Sequence, residues 1–454
     1  MIVLKTMKRF LFVCALVVSK VSCLLLFQYP DPLPTSAPEK ILTILGTIQV
    51  RDHLFVPFTE GAADSSAPLK GVHRLNLDGN LEGTLEFGSS PFETLTGPFP
   101  YSDDAFFVMI RETANRGGAP KLSVQIINAG TLSVTKTATI SGAPQVDTVQ
   151  ALSNGNMLFG KIGADDADTS LGLLNVEDST TAWSKEGQEI KLREEPVIDG
   201  EYIYAVATAQ DGETAIVKKI NASDGNVAIN QPNVNFIQAG GNPIAYDKTM
   251  GYLYMITCED ETCIKQITRV DTKTITNDEN TEVQVIHMNV SNMANNWIQT
   301  PVALPGGLLA CVGTFQVGVF DVTTAQDQSE LLWEAEDSGG MDIGPKLTEK
   351  LLVYPTPYNL VFRDFMTGEI KDNPELDKDY ISNDHLHVSI DGSRIYLTVK
   401  TAFSSVVYAY SNPNLVEDAP TVSPTGAPSE SHRLRGGGGF MALVIIGISS
   451  MVAL

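Results

Sequence analysis

Short apolar stretches recur along the chain at intervals of 43–56 residues, each bounded by polar or turn-forming residues. A short apolar run between turn signals is typical of a buried β-strand. A repeat near 50 residues is typical of the four-stranded blades of a propeller. The stretches read HLFVPF, AFFVMI, NMLFGK, YIYAVA, YLYMIT, LLACVG, LLVYPT and RIYLTV, with second residues Leu54, Phe106, Met157, Ile203, Leu253, Leu309, Leu352 and Ile395.

Turn signals separate these stretches. Asp-Gly, a dipeptide that tight hairpin turns prefer, occurs at positions 78, 199, 211, 224 and 391, and long helical periodicity is absent between the two chain ends. The pattern predicts an all-β protein, a β-propeller of eight four-stranded blades over residues 41–415. Residues 24–46 are expected to supply a strand that closes the ring. A seven-bladed ring with one degenerate unit is the alternative.

The first 23 residues have the features of a secretory signal peptide. Lys5, Lys8 and Arg9 precede an apolar run, and Val21 and Cys23 suit cleavage before Leu24. We therefore expect the propeller domain to span residues 24–415 in a protein that enters the secretory pathway.

The last residues resemble a signal for a glycolipid (GPI) anchor. Residues 440–454 are uncharged, and as a helix they would reach about 22 Å, less than the roughly 30 Å of a bilayer core. Ser429 is the expected lipid attachment site, and residues 432–454 comprise the polar spacer and apolar tail of the signal. A short C-terminal membrane helix is the alternative. Residues 416–431 are rich in Pro, Thr and Ser, which predicts an extended stalk.

Removal of these end segments makes the protein more acidic. Residues 1–23 carry four basic groups and no acid, and residues 430–454 carry two basic groups and one acid, so the formal charge of −23 becomes −28. A surface with this charge disfavours nucleic acid and favours cations or basic partners. It also serves solubility.

The cysteines and glycosylation sequences fit an extracellular domain. Cys258 and Cys263 flank the polar EDET of a predicted hairpin, and we expect them to form a disulfide, with Cys311 a buried free thiol. Acceptor sequences for N-linked glycans begin at Asn221 and Asn289.

The stretch REEPVIDGEYIYAVATAQDGETAIVKKINASDGNVAI resembles a repeat of quinoprotein-like (PQQ-like) propellers, which are WD40-like in architecture. LLNVEDSTTAWS and VFDVTTAQDQSELLWE are similar to the latter half of that repeat, including Trp183 and Trp333. The resemblance implies the propeller fold. Family members that bind pyrroloquinoline quinone hold it with a disulfide of adjacent cysteines, and this chain has none, so the resemblance does not extend to that cofactor.

Polar residues at the predicted channel mouth are candidates for binding. His385 and His387 lie two apart on a predicted innermost strand beside Asp384, where imidazoles and a carboxylate suit a metal or an acid–base pair. The alternative is a structural or surface role, which is the usual one for paired histidines on a strand. The other mouth candidates lie near the start of a blade: Asp147, Glu195, Asn242 and Thr300.

A second candidate is the loop GADDADTS. Asp165, Asp166 and Asp168 supply oxygen atoms, which calcium prefers, although the spacing differs from that of a calcium-binding loop. A solvated acidic loop is the alternative interpretation.

The sequence therefore predicts a binding module on the extracellular face of the plasma membrane, with a protein, a glycan or cations as its partner. No G-x-S-x-G, H-E-x-x-H, Walker A or dinucleotide motif is present. The rival hypothesis is an extracellular propeller enzyme, either a quinoprotein-type oxidoreductase or a calcium-dependent hydrolase.

Overall fold

The protein is a ring of eight antiparallel β-sheets. The computed structural model describes residues 23–30, 40–62, 67–112, 121–141, 146–208, 215–230, 244–258, 265–273, 284–287, 298–313, 316–323, 330–336, 344–376, 380–401 and 404–414. All regular elements in these ranges are β-strands, and a helix able to cross a bilayer is not among them. The prediction of an all-β propeller is confirmed, with eight blades rather than the alternative seven.

Blades 1 to 4 follow one another along the chain, and blade 1 has a divided first strand, β2 and β3. Their strands, with β1 preceding them, are β1 (Leu25–Tyr29), β2 (Ile41–Ile44), β3 (Ile48–Val50), β4 (His53–Gly61), β5 (Leu69–Asn76), β6 (Leu81–Ser89), β7 (Glu93–Ser102), β8 (Ala105–Glu112), β9 (Lys121–Asn128), β10 (Ser133–Ser141), β11 (Thr148–Ala151), β12 (Met157–Gly160), β13 (Thr169–Asn175), β14 (Thr180–Glu186), β15 (Val197–Asp199), β16 (Tyr202–Thr208), β17 (Ala215–Asn221) and β18 (Val227–Asn230).

Blades 5 to 7 have the same order, and blade 8 takes its fourth strand from the start of the chain. Their remaining strands are β19 (Ala245–Asp247), β20 (Tyr252–Cys258), β21 (Lys265–Asp271), β22 (Gln284–His287), β23 (Ile298–Leu304), β24 (Leu308–Gly313), β25 (Gln316–Asp321), β26 (Glu330–Glu336), β27 (Lys346–Leu347), β28 (Leu351–Pro355), β29 (Leu360–Asp364), β30 (Ile370–Asp372), β31 (Tyr380–Val388), β32 (Arg394–Thr401) and β33 (Ser405–Ser411).

The eight apolar stretches of the repeat all fall on the second strand of a blade. Each second strand has neighbours on both edges and packs against an adjacent blade on both faces, so successive residues are buried rather than alternate ones. In β4, for example, Leu54, Phe55 and Val56 are all fully buried. This burial explains why the strand reads as a continuous apolar run.

The hydrophobic core is divided among the interfaces between blades. Eight clusters of buried side chains occur, and each draws its members from two neighbouring blades, including blade 8 with blade 1. A single blade therefore cannot bury its faces alone, and closure of the ring completes the core.

The ring closes through its N-terminal strand, as expected for residues 24–46. β1 pairs antiparallel with β33, so one sheet contains both ends of the propeller. Phe27 of β1 lies against blade 1, where a Cβ atom on Gly79 would be only 2.5 Å from its Cδ2. Arg394 adds a hydrogen bond to the carbonyl oxygen of Leu77. Together these contacts fix blade 8 to blade 1.

An Asn or Asp side chain ends the third strand of blades 1 to 7, and Asn412 directly follows β33, the third strand of blade 8. The Oδ1 of each accepts a hydrogen bond of 2.8–3.0 Å from a backbone N–H two or three residues later, which in blades 1 to 7 stabilises the turn to the fourth strand. The residues are Asn76, Asn128, Asn175, Asn221, Asp271, Asp321, Asp364 and Asn412.

Two tryptophans connect neighbouring blades at these turns. The indole N–H of Trp183 donates to the carbonyl oxygen of Ala222 at 3.1 Å, and that of Trp333 donates to Phe365 at 2.8 Å. Each indole lies over a glycine with φ near +70°, Gly225 or Gly368. The aromatic repeat positions noted in the sequence thus act between blades.

The cysteines lie in three parts of the ring. Cys311 is free and fully buried, as predicted, and burial raises the pKa of its thiol. Cys258 ends β20 opposite Lys265, whereas Cys263 lies outside the described residues, so their disulfide stays a prediction. Cys23, expected to leave with the signal peptide, is buried in the core between blades 7 and 8, and its thiol donates to the Ser411 carbonyl.

Other predicted features lie beyond the described residues: the signal peptide up to residue 22, the stalk, Ser429, the C-terminal tail and Asn289. Asn221 lies in the turn after β17, where its Oδ1 accepts hydrogen bonds from the N–H and hydroxyl of Ser223. Glycosylation and lipid attachment remain predictions.

Candidate functional site

The two faces of the ring differ in their connections. Strands alternate in direction, so first-to-second and third-to-fourth connections lie on one face, which we call the turn face. Second-to-third connections and the links between blades lie on the other, the loop face. First-to-second turns contain two to five residues, whereas the links from blade 3 to 4, 4 to 5 and 5 to 6 contain 10, 14 and 10. Longer loops commonly carry binding function.

The first strands are innermost. β7 contacts β11, β19 contacts β23, and β27 contacts β31, each pair joining neighbouring blades. Residues immediately before a first strand therefore lie at the channel mouth on the loop face. Asp147 and Glu195 are described there, whereas Asn242 and the side chains of Thr300 and Asp384 lie outside the described residues.

Asp147 and Glu195 both bind neighbouring protein groups. Asp147 precedes β11, and its Oδ2 accepts a hydrogen bond of 2.8 Å from the backbone N–H of Ile162. Glu195 precedes β15, and its Oε1 accepts from the Thr148 hydroxyl at 2.7 Å and from Gln150 Nε2 at 2.9 Å. Both residues remain exposed to solvent. Asp147 thus fixes the β12–β13 loop within blade 3, Glu195 connects the link to blade 4 with β11, and both present negative charge at the mouth.

The same two blades hold the acidic loop predicted from GADDADTS. Residues 161–168 connect β12 to β13, and residues 187–196 connect blade 3 to blade 4; we call the two segments the acidic loop pair. They are joined by hydrogen bonds from Gly163 N to Leu192 O at 2.7 Å and from Gly187 N to Asp168 O at 2.9 Å. A Cβ on Gly187 would lie 2.4 Å from the Asp165 carbonyl oxygen, so this approach requires glycine. The loops therefore form one bonded unit.

The three aspartates of this unit do not converge on one point. Asp168 is ion-paired with Lys161, while Asp165 and Asp166 are exposed. Across the described part of the chain, no three His, Cys, Asp or Glu side chains converge to hold a metal ion. Calcium binding by this cluster stays a prediction from the sequence, since oxygen ligands must surround the ion.

Four of the acidic residues singled out in the sequence nevertheless lie in or beside the acidic loop pair. Asp147 and Glu195 bind the loop pair or the strand beneath it, and Asp165 and Asp166 lie on that pair. None of the four carboxylates forms an ion pair within the described ranges. Blades 3 and 4 thus place four exposed carboxylates on the loop face, in or beside segments that also contain Lys161, Lys191 and Arg193.

His385 and His387 have structural partners instead of a metal. Both lie on β31, with ring centroids 6.5 Å apart and nearly parallel planes. The backbone N–H of Gln49 donates to His387 Nε2 at 3.1 Å, and that of Thr47 approaches His385 Nδ1 at 3.4 Å. Thr47 lies in the interruption between β2 and β3, and Gln49 lies on β3, which pairs only with β4. The nitrogens that accept these bonds cannot also bind a metal.

Burial keeps both rings neutral. It lowers the pKa of each imidazole to about 4, and the nearby Lys346 ammonium acts in the same direction. A general acid–base role near neutral pH would require a pKa closer to 7. The histidines therefore belong to the contact between blade 8 and blade 1, which we call the seam.

Sequence reasoning missed the other polar groups of the seam. The Tyr29 hydroxyl lies 2.6 Å from His73 Nδ1, and Phe58 stacks on the same imidazole with centroids 3.9 Å apart. The Tyr396 hydroxyl donates to Gln49 Oε1 at 2.7 Å. The predicted closing strand was the one sequence signal that could have indicated these groups, because it placed Tyr29 beside blade 1.

No protein-family model and no curated protein matches the chain. Solved structures match at low identity. Sqt1 of Chaetomium thermophilum, bound to the N-terminus of ribosomal protein L10, is 13% identical over 82% of this chain and 97% of that chain, with a TM-score of 0.51. The Pan2 WD40 domain of Neurospora crassa is 12% identical over 88% and 96%, with a TM-score of 0.43. The propeller domain of the Pyrococcus furiosus Trilobed protease is 12% identical over 83% and 94%, with a TM-score of 0.44. The likeness to Sqt1 agrees with the propeller fold of the chain.

Proposed function

We propose that the protein is a lipid-anchored binding module on the outer cell surface, and that it binds a basic segment of a protein partner through the acidic loop pair. The end signals in the sequence support secretion and anchoring. The formal charge of −23 for the whole chain supports a cationic partner. Sqt1, a propeller of similar fold, is seen bound to a protein terminus.

The observation that carries the proposal is the loop pair itself. Asp165 and Asp166 are exposed on residues 161–168, and this segment bonds to residues 187–196, which contain Glu195. A preorganised charged surface binds with less loss of conformational entropy than a mobile loop does. Opposite charge on the partner would also accelerate association.

Titration of the protein with an octalysine peptide tests this site. We expect the double variant Asp165→Asn with Asp166→Asn to bind about 5-fold more weakly, from about 0.5 kcal/mol for each exposed ion pair. The matched control, Asp52→Asn with Glu201→Gln, removes two exposed charges from the turn face. Equal weakening by both variants would show that binding follows net charge, and the proposed site would be wrong.

The lipid anchor has a separate test. Treatment of intact cells with phosphatidylinositol-specific phospholipase C is expected to release the protein into the medium. Retention in the membrane fraction after treatment would contradict the lipid anchor and favour a C-terminal membrane helix.

Glycan or cation binding and the extracellular enzyme remain alternatives to protein binding. Metal analysis and an absorption spectrum of the purified protein distinguish the enzyme, because stoichiometric calcium or a quinone chromophore would favour it.

A further inference from the structure

Exposed apolar side chains concentrate at one edge of the turn face. Twelve large apolar side chains are exposed in the described residues, and six of them lie at the turn-face ends of blades 7 and 8. Ile390, at the tip of the turn between β31 and β32, is 88% exposed. We call these six residues the exit patch: Leu24, Leu25, Leu26, Met366, Ile370 and Ile390.

Hydrogen bonds place these elements side by side. The N–H of Ser411 donates to the Leu24 carbonyl, and the N–H of Asn412 donates to the Ser393 carbonyl, both at 2.9 Å. Asn412 Nδ2 also donates to Gly392 at 2.8 Å. On the other side, Leu360 and Phe362 of β29 pack with Tyr408 and Tyr410 of β33 in one core cluster. The start of β1, the end of β33 and two neighbouring turns therefore share one edge.

The chain leaves the propeller at this edge. The described residues end at Asn414, two residues after the bonds of Asn412, and the expected lipid attachment site is Ser429. The 14 residues between Asn414 and Ser429 reach at most about 50 Å when extended. The described chain therefore ends beside the exit patch, on the turn face.

We propose that the exit patch contacts the surface of a zwitterionic bilayer and inserts its aliphatic side chains among the headgroups. The proposal rests on membrane anchoring in the proposed function. Charge selects the lipid, because the first-to-second turns of the turn face carry more exposed acids than bases, and this net negative charge would repel anionic headgroups. The acids are Asp52, Asp103, Asp104, Glu201, Glu349 and Asp391, and the bases are Arg51, Lys248 and Lys350. A second copy fits less well, because a symmetric contact would bring the Asp391 carboxylates of both copies together. Contact at this edge leaves the acidic loop pair free for a partner.

Fluorescence quenching in vesicles tests this orientation. The full-length anchored protein is reconstituted in phosphatidylcholine vesicles that contain brominated phosphatidylcholine, with an environment-sensitive dye on Ile390→Cys. The control is Glu201→Cys, in the corresponding turn of blade 4 on the opposite side of the ring. The unsubstituted protein, treated with the same dye, shows how much dye reacts with the native cysteines.

We expect at least 3-fold more quenching at position 390 than at position 201, and less quenching at 390 when phosphatidylserine replaces part of the lipid. Equal quenching at both positions would overturn the proposal. The proposal would also be overturned if sedimentation showed that the protein self-associates and the quenching at position 390 were lost when it does. Quenching at positions 390 and 201 can be measured with a lipid anchor or with a C-terminal membrane helix. Failure of phospholipase to release the protein would therefore refute the lipid anchor without deciding the orientation of the propeller.

Discussion

At the scale of single residues, glycines with positive φ determine how closely the blades approach. Gly225 has φ +69°, and a Cβ there would lie 2.6 Å from Cδ2 of Trp183. Gly200 has a similar φ of +60°, but a Cβ would meet nothing within 4 Å. The pair therefore separates backbone strain from a clash between blades.

We predict that Gly225→Ala lowers the free energy of unfolding by about 3 kcal/mol, from strain of 1–3 kcal/mol plus displacement of the indole. Gly200→Ala should lower the free energy of unfolding by only about 1 kcal/mol, because the new Cβ strains the backbone but meets no neighbouring atom. Urea unfolding followed by tryptophan fluorescence measures both. Equal losses would show that Trp183 does not pack tightly on the next blade.

Much of the residue-level detail followed from sequence, and some did not. The buried free thiol of Cys311 was predicted from its place in an apolar strand. The roles of His385 and His387 were not, because their partners lie 338 residues earlier, across the ring closure. The ion pair between Lys161 and Asp168, seven residues apart, was also not foreseen from the sequence. Local sequence shows which groups are available, and tertiary contacts decide their partners.

At the scale of elements, the seam between blades 8 and 1 predicts a dependence of stability on pH. Burial lowers the pKa of His73, His385 and His387 to about 4, against 6.5 for an ordinary histidine. Between pH 4 and 6.5 the unfolded chain therefore binds more protons than the folded ring. The free energy of unfolding therefore rises with pH across this window. The contribution of the three histidines has its full value above pH 6.5 and is lost as pH falls towards 4.

Each seam histidine is expected to contribute up to about 1.4 kcal/mol per pH unit to this slope. The variant His387→Gln should reduce the slope by one proton, while its amide oxygen still accepts the bond from Gln49. The control is His53→Gln, since His53 faces Glu82 on blade 1 itself. Urea midpoints from pH 4 to 7.5 measure the slopes, and an unchanged slope for His387→Gln would contradict a neutral, buried imidazole.

The strand pattern was predictable because second strands are buried on both faces and therefore read as apolar runs. The repeat of Asn or Asp at the end of each third strand is also visible in the sequence, in IIN, LLN, KIN, RVD and VFD. First strands were harder to place, because several have only two to four residues, such as Lys346–Leu347. Short strands contain too few positions to show a period.

At the scale of the whole molecule, the repeat length predicted the ring, and the count of eight followed from eight apolar stretches. Which face binds a partner was predicted only in part. Asp147 and Glu195 marked the loop face, but the bonding of residues 161–168 to residues 187–196 required the structure. The exit patch also depends on tertiary placement, because Leu24 and Ile390 are neighbours only through β33.

The central claim is a single closed ring in which the N-terminal strand completes blade 8, since both proposed surfaces depend on it. Amide hydrogen exchange of the full-length protein tests it most directly. We predict that peptides covering β1 and β33 are protected together, with the same opening free energy, because each strand bonds the other. Exchange of residues 25–29 at the rate of an unstructured peptide, with β33 still protected, would contradict the closed ring.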